Sequence, residues 1–279
     1  MKVETGIFIP SYRRLESQKT FNFIPKKLKP NTFIVVDSKD YKAYRKKYGA
    51  KNVLECPEKG ISKTRQWIIN KCIYPYALML DDDISFHIRN KELKLRRCNK
   101  KEFIDLVLLL QGWLNKGLIH VGISQRFGNN RIPKDYREIT RMNNAYAYNC
   151  KEMRILKKKH GIGFDTLEEK YGKQLVMEDF FVTLSLLRLG YKNRVTYKYA
   201  WNQNMSGAEG GCSLYRTAKM QEESAKILQK EFPRVVKAVK KKSSVIWKGI
   251  DTNVRADVVI QWRKAFIAKR KGGISGFIK

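Results

Sequence analysis

The first hundred residues alternate between short apolar runs and amphipathic stretches, and this alternation constrains the fold more than any other feature of the sequence. The apolar runs are TGIFIPSY, NTFIVVDS, KNVLECP and YALML. Helical patterns in DYKAYRKKYG and GISKTRQWIINKCI separate the second, third and fourth runs. Strands separated by helices are joined by right-handed crossovers and form a parallel sheet. The sequence therefore predicts an α/β fold with a parallel sheet.

The remaining chain predicts a larger sheet and a basic tail. Strand patterns in IHVGISQRF, NNAYAYN and NRVTYKYAWN would extend the sheet with mixed direction, and KKEFIDLVLLLQGWLNKG, MEDFFVTLSLLRLGYK and SLYRTAKMQEESAKILQKEF have helical patterns. After Pro233 the chain is basic, and Val254, Val258, Trp262 and Phe266 recur every four residues, as in a helix. We expect one domain over residues 1–233 and a mainly helical, basic extension over 234–279.

The charge of the chain indicates a polyanionic partner. It has 58 Lys and Arg against 26 Asp and Glu, a formal net charge of +32, with clusters in 87–101 and 230–279. Such a field attracts nucleic acid first and an anionic membrane surface second, although a strongly basic proteome would give the same composition. No apolar stretch approaches about 20 residues and no signal peptide is evident, so we expect a soluble protein of the cytoplasm, or of the host cytoplasm if a phage encodes it.

The scarce acids gather directly after a predicted buried strand. YALMLDDDISF places Asp81, Asp82 and Asp83 at its end, and ligands bind at this edge of open α/β sheets. Two carboxylates with Asp-x-Asp spacing supply part of the oxygen shell of Mg²⁺ or Mn²⁺ and leave positions for phosphate oxygens and water. A solvated acidic turn is the alternative. The pattern predicts a divalent-metal site that neutralises a diphosphate.

A second acidic pair, Glu178 and Asp179, begins a predicted helix. Alone it would indicate only acids that complement a helix dipole. Together with IFIPSYRR, a strand ending in Asp37, GISKTR, the three aspartates and a helix ending in RLGY, it resembles the GT-A fold of glycosyltransferases, specifically family-2-like inverting enzymes. The resemblance covers about residues 5–215.

The resemblance implies a role for each matching residue. Donor-binding roles fall on Pro10, Ser11, Tyr12, Asp37, Asp82 and either Lys63 or Arg65, metal binding on Asp81 and Asp83, and catalysis on Asp179 as the base with Glu178 orienting it or the acceptor. The expected donor is a sugar nucleotide, UDP-linked, with Mn²⁺ or Mg²⁺. The late histidine of many relatives is missing, so Asn202, Asn204 or water is expected in its place.

Two separated carboxylate sites also suit the chemistry of sugar transfer. A sugar nucleotide needs a cation on its diphosphate, and a carboxylate on the opposite face accepts the proton of the attacking hydroxyl. Direct attack of this kind inverts the anomeric configuration, so an α-linked donor would give a β-linked product.

The charge and this site together suggest that the acceptor is DNA. The pattern resembles phage TET-associated glycosyltransferases, which modify 5-hydroxymethylpyrimidines such as 5-hydroxymethylcytosine. Such an enzyme must extrude its target base or otherwise reach it. Candidate stacking residues are Tyr146, Tyr148, Tyr199 and Trp201, with Tyr148 and Trp201 as the expected acceptor contacts and strand core as the alternative. MSGAEGGCS is either a lid over the nucleotide or a plain turn.

Other functions remain compatible with the sequence. A two-metal nucleotidyltransferase or nuclease would also use clustered acids and a basic surface, and a family-2-like enzyme could act on a polysaccharide, lipid or protein. A protein that only coats DNA would explain the charge but not the ordered carboxylates. A Rossmann methyltransferase or dehydrogenase is disfavoured, because PSYRR stands where a glycine-rich turn would be expected.

Overall fold

A mixed sheet forms the centre of the computed structural model of the chain, which describes residues 2–203, 211–242 and 253–266. Its ten strands within these residues are β1 Thr5–Pro10, β2 Thr32–Asp37, β3 Val53–Cys56, β4 Tyr76–Leu80, β5 Ile84–Arg89, β6 Leu95–Arg97, β7 His120–Gln125, β8 Tyr136–Glu138, β9 Ala145–Asn149 and β10 Arg194–Gln203. They lie in the order β3-β2-β1-β4-β9-β7-β10-β5-β6, and β8 pairs with β10.

The first four strands form the parallel half of the sheet, as the sequence predicts. β1 lies between β2 and β4 and is parallel to both. Its apolar side chains alternate, so that Ile7 and Ile9 enter one core cluster and Phe8 enters the other. Both faces of the sheet are therefore covered, as in α/β proteins in general.

Helices cover the two faces. Those in the described residues are α1 Lys19–Phe23, α2 Ser38–Tyr48, α3 Ile61–Lys71, α4 Lys100–Asn115, α5 Cys150–His160, α6 Thr166–Tyr171, α7 Glu178–Arg188, α8 Ala218–Glu231 and α9 Trp262–Ala265. The first, second and fourth helices pack on the face that includes Ile7, and the third and fifth to eighth pack on the face that includes Phe8. No helix in the described ranges has the length and apolar content that a membrane crossing requires.

Strand β10 lies between β7 and β5 and so connects the β5–β6 hairpin to the rest of the sheet. It runs parallel to β7 on one side and antiparallel to β5 on the other, and its first residues also pair with β8. Strand β4 is antiparallel to β9, so the sheet is mixed beyond this point. The predicted α/β class with a mixed sheet is confirmed.

The C-terminal extension differs from the predicted helix. Two antiparallel strands, β11 Val236–Lys242 and β12 Val254–Ile260, form a separate small sheet, and within the described residues the short helix α9 follows them. The prediction of a helix across residues 254–266 is therefore wrong. Apolar residues recur at every second position of β12. A spacing of four residues fits this alternation as well as a helical turn, so the spacing of Val254, Val258, Trp262 and Phe266 does not distinguish a strand from a helix. The proposed domain boundary at Pro233 stays a prediction.

Candidate active site

The acidic turn after β4 lies beside the end of β1, because the two strands are parallel neighbours. The hydroxyl of Ser11 donates a hydrogen bond to Asp82 Oδ2 at 2.6 Å. Thr20 fixes the turn from α1: its backbone N–H donates to the carbonyl of Asp82 at 3.0 Å, and its hydroxyl donates to the carbonyl of Asp81 at 2.6 Å. The loop after β1 thus holds the acidic turn in one conformation.

Arg14 links two of the aspartates and was not identified from the sequence. Its Nη1 lies 2.6 Å from Asp82 Oδ1 and 2.8 Å from Asp83 Oδ2. Burial raises the pKa of Asp82 to about 6, against the opposing effects of Arg14 and Ser11. Buried acids are stable when charged only if cations or hydrogen-bond donors compensate them, and Arg14 does so here.

Two side-chain amides connect Asp81 with Asp83. Asn144 Nδ2 donates to Asp81 Oδ2 at 2.6 Å and to Gln203 Oε1 at 3.0 Å. Gln203 Nε2 then donates to Asp83 Oδ1 at 2.7 Å. Gln203 is the last residue of β10, so the end of this strand contributes the amide for which the sequence suggested Asn202 or Asn204. Asn204 lies outside the described residues.

Arg65 joins the acidic turn to the second acidic pair. Its Nη2 lies 3.0 Å from Asp81 Oδ1, and its Nη1 donates to Glu178 Oε1. The guanidinium is buried and lies 5.2 Å from the centre of the Tyr146 ring. Lys63, the other residue considered for nucleotide contact, is exposed on α3. The structure therefore gives Arg65 two carboxylate partners and leaves Lys63 at the surface.

Asp179 lies at the start of α7, directly after Glu178. Its Oδ1 accepts the N–H of Phe180 at 2.8 Å, and the preceding Met177 has a left-handed φ of 70°. Burial and the neighbouring Glu178 raise the pKa of Asp179 to about 7, while Arg65 and Arg141 act in the opposite direction. A carboxylate with a pKa near neutral can accept a proton from a hydroxyl at physiological pH.

The other residues assigned to the donor lie along the same edge of the sheet. Pro10 ends β1, and the carbonyl of Tyr12 accepts the N–H of Gly211 at 2.9 Å. Asp37 ends β2 and caps α2 by accepting the N–H of Asp40 at 3.0 Å. The segment MSGAEGGCS falls mostly on residues outside the described ranges.

The aromatic residues expected to contact the acceptor belong to the core. Tyr148 is 0% exposed and Trp201 is 2% exposed, and Tyr146 and Tyr199 are also buried. A buried ring has no free face on which a base could stack. The prediction of Tyr148 and Trp201 as acceptor contacts is therefore not supported by this structure. Their alternation along β9 and β10 packs them against helices on the two faces of the sheet.

The donor atoms at the acidic turn fit a hard divalent cation. Among the described residues no three His, Cys, Asp or Glu side chains are placed so that they could hold a metal ion by themselves. The carboxylate oxygens of Asp81 and Asp83 are nevertheless linked through the amides of Asn144 and Gln203, so two carboxylates and an amide oxygen belong to one hydrogen-bonded group. Mg²⁺ and similar ions are commonly held by one or two carboxylates plus substrate phosphates and water, and this donor set suits that arrangement.

Comparisons of the sequence with known proteins find glycosyltransferases. A family model described as TET-Associated Glycosyltransferase matches residues 5–211. The chain is 26% identical over 245 residues to a beta-glucosyl-HMC-alpha-glucosyl-transferase of Enterobacteria phage T6, covering 81% of this chain and 80% of the relative. The protein of the same name from Enterobacteria phage T2 is 25% identical over 245 residues, with the same coverage.

A solved structure supports the fold assignment. The mannosyltransferase PcManGT from Pyrobaculum calidifontis, in complex with GDP-Man and Mn²⁺, superposes with a TM-score of 0.52 at 10% identity. The match covers 82% of this chain and 65% of that chain, so this chain spans less than two thirds of its length. At this identity the likeness concerns the fold alone. The predicted GT-A class of fold is confirmed.

Proposed function

The chain belongs to the TET-associated glycosyltransferase family, and from this membership we propose that it transfers a sugar from a nucleotide diphosphate sugar to a hydroxymethylated pyrimidine in DNA. That it is a glycosyltransferase follows from the family. The donor, the acceptor and the residue roles are our proposal. The observation that carries it is the position of Arg65, which holds Asp81 of one acidic site and Glu178 of the other.

The donor half of the proposal rests on the edge formed by β1, β2 and β4. Ser11 and Tyr12 follow β1, Asp37 ends β2, and these three residues would hold the nucleoside. Asp81 and Asp83 would hold Mn²⁺ or Mg²⁺ against the diphosphate. A bound cation there would stabilise the negative charge of the departing nucleotide.

The acceptor half rests on Asp179. The acceptor hydroxyl would give its proton to the Asp179 carboxylate while its oxygen forms a bond to the anomeric carbon. The bond between that carbon and the diphosphate oxygen breaks, and the nucleotide diphosphate leaves with the bonding electrons. The ion pair between Arg65 and Glu178 would fix the start of α7, and with it the position of the base.

The DNA acceptor is supported by charge and by the relatives. A net charge of +32 attracts a polyanion, while the acids that would perform the chemistry are gathered at one edge of the sheet. The names of both phage relatives contain HMC, which we take as hydroxymethylcytosine, and two mentions of a glucosyl group. The acceptor hydroxyl is therefore either that of 5-hydroxymethylcytosine or one on a sugar already attached to it.

The test is a transfer assay that separates these acceptors. The protein is incubated with Mn²⁺, a panel of sugar nucleotides and three DNAs, namely unmodified, hydroxymethylated, and hydroxymethylated with glucose attached. Mass spectrometry of the nucleosides should show one added sugar on one of the two modified DNAs and none on the unmodified DNA. Sugar-nucleotide turnover without transfer to any DNA would contradict the proposed acceptor.

A further inference from the structure

A cavity of about 310 Å³ lies between the strand β8 and the C-terminal extension. Its wall is formed by Arg137, Ile139, Thr140, Ile260, Gln261, Trp262, Arg263 and Lys264. The volume is at the lower end of the range of pockets that bind small ligands or single groups of larger ones. The lining combines three cations with polar groups and one large aromatic ring, which is the composition of a site for an anion.

Both walls of the cavity are held by backbone hydrogen bonds. Asn193, which is 0% exposed, accepts the N–H of Thr140 at 3.0 Å through Oδ1 and donates to the carbonyl of Thr140 at 2.7 Å through Nδ2. The preceding Ile139 has a left-handed φ of 53°. On the other wall, the N–H of Gln261 donates to the carbonyl of Val235 at 2.8 Å. The cavity is therefore a defined part of the fold.

The cavity adjoins the proposed catalytic base. The ring of Trp262 contacts the ring of Phe180 edge to face, with centroids 5.7 Å apart. Phe180 directly follows Asp179, and Arg141 lies over the same Phe180 ring at 5.0 Å. A group bound against Trp262 would thus be separated from the start of α7 only by the contact between the rings of Trp262 and Phe180.

The cations around the cavity have no anionic partner in the described part of the chain. Arg137, Arg263 and Lys264 form no ion pair there, and Glu138, the acid next to them, is already paired with Arg194 at 2.7 Å. Three such cations around one cavity repel each other, and an anionic group would relieve that repulsion.

We propose that this cavity binds a phosphodiester of the acceptor DNA strand, next to the nucleotide that receives the sugar. The proposal rests on DNA being the acceptor. Guanidinium groups recognise phosphate through paired N–H donors, and the half-buried ring of Trp262 offers a surface for the neighbouring base or sugar. In this proposal the C-terminal extension supplies one wall of the DNA-binding site beside Asp179.

The test compares two variants of the full chain with equal net charge. Arg263→Gln combined with Lys264→Gln removes two exposed cations from the cavity. Lys42→Gln combined with Lys46→Gln removes two exposed cations from α2, at the other end of the sheet, and serves as the control. Binding to duplex DNA that carries the accepting modification, either hydroxymethyl groups or hydroxymethyl groups with glucose attached, is measured by fluorescence anisotropy from 50 to 200 mM salt, and KM for this DNA is measured in the transfer assay.

The cavity variant should reduce the slope of log K against log salt by about 0.9 for each phosphate that it no longer binds. Its KM for this DNA should rise at least tenfold, and transfer to DNA should fall relative to transfer to the free nucleoside that carries the same modification. Arg263→Lys with Lys264→Arg keeps both charges and should keep most of the slope. Equal slopes and equal KM values in the cavity and control variants would overturn this site alone. A wild-type protein that transfers sugar to no DNA would overturn the acceptor and this site together.

Discussion

Two arginines hold the carboxylates at the edge of the sheet. Arg14 pairs with two aspartates of the acidic turn, and Arg65 pairs with the third and with the first acid of α7. Arg65 reaches its two acids through two different nitrogens, whereas Arg14 contacts both of its aspartates through Nη1. At Arg65 a lysine would supply the charge but not the two donors in fixed directions. Arg65 therefore fixes the position of Glu178 relative to the acidic turn.

The first prediction concerns the acids assigned to the cation. Asp81→Ala and Asp83→Ala should each abolish transfer, because each removes a charged oxygen from a site with few others. Both variants should also bind the sugar nucleotide more weakly in the presence of Mn²⁺, as measured by calorimetry. EDTA should likewise abolish transfer and weaken sugar-nucleotide binding in the wild type. Asp257→Ala, which removes a surface acid paired with Lys241, is the control. Full activity in both site variants would refute the assignment.

The second prediction separates binding from chemistry. Asp179→Asn keeps the shape and one oxygen but cannot accept a proton, so transfer should fall by about 10²–10⁴-fold, as is usual when a general base is lost. Affinity for the sugar nucleotide should stay close to that of the wild type. In the wild type, the transfer rate should rise with pH up to about 7, the pKa of Asp179. Wild-type turnover in the variant would mean that the acidic pair only begins a helix.

The same variant makes a prediction about stability. Because burial and Glu178 raise the pKa of Asp179 to about 7, the folded protein binds this proton more tightly than the unfolded chain, whose Asp has a pKa of about 3.9. Ionisation of Asp179 should therefore lower the free energy of unfolding as the pH rises from about 4 to 7. In Asp179→Asn this contribution disappears. Thermal unfolding at several pH values would measure it, and identical pH dependence in both proteins would contradict it.

The third prediction concerns Arg65. Its charge lowers the pKa of Asp179, so Arg65→Gln should move the rise in the transfer rate to higher pH. The change also leaves Asp81 and Glu178 without their shared cation, and breaking buried ion pairs costs about 3–5 kcal/mol. Arg65→Lys keeps the charge and should show a smaller pH shift. A purely structural role would lower the unfolding temperature without moving the pH profile.

At the scale of elements, α4 offers a test of local stability. Asn99 and Glu102 form a capping box at its N-terminus, in which Asn99 Oδ1 accepts the N–H of Glu102 at 2.9 Å. Asn99→Ala should destabilise the protein by about 1 kcal/mol, as measured by denaturant unfolding. Transfer activity at low temperature should not change, because the cap lies away from the acidic turn. An unaltered midpoint would show that tertiary packing alone holds the helix.

The elements also show which parts of the fold the sequence could predict. The strands β1 to β4 and helix α7 were predicted because their apolar patterns are long and end at Pro, Asp or Gly residues. Strand β5 was missed because it begins directly after the acidic turn and leads into the charged hairpin with β6. Strand β11 was missed because the many lysines of 236–242 interrupt the alternation of apolar and polar residues that indicates a strand. Strand β12 was missed because the apolar spacing in 254–266 fits both the helical and the strand period.

The candidate site was predictable where its residues lie at the end of a strand or at the start of a helix. Asp81, Asp82, Asp83 and Asp179 follow recognisable local patterns. Gln203 and Asn144 could not be found in this way, because their contacts with the aspartates depend on where β9 and β10 lie in the sheet. Arg14 follows β1 by a few residues, and basic residues in such a loop carry no local signal that they will pair with an acid.

At the scale of the whole molecule, the charge predicts salt-dependent DNA binding. Reversing Lys240, Lys241 and Lys242 to Glu at the exposed end of β11 should weaken DNA binding and flatten its salt dependence, by about 0.9 in slope per phosphate contact. Lys42, Lys46 and Lys51, all exposed, changed to Glu together form a control of equal charge. An unchanged slope would exclude the β11 lysines from the DNA surface and favour the basic hairpin within 87–101.

The position of β10 has a consequence for the order in which the protein folds. β5 and β6 join the rest of the sheet only through β10, which is made much later in synthesis. Pairings between residues far apart in sequence form slowly, because the chain loses the entropy of loop closure before the new contacts stabilise the structure. The end of β10 also carries Gln203, so the acidic turn is completed only when the sheet closes. A nascent chain that stops before Arg194 would expose the edge of β7 and lack a complete donor site, and a ribosome-bound intermediate of that length should be prone to aggregation.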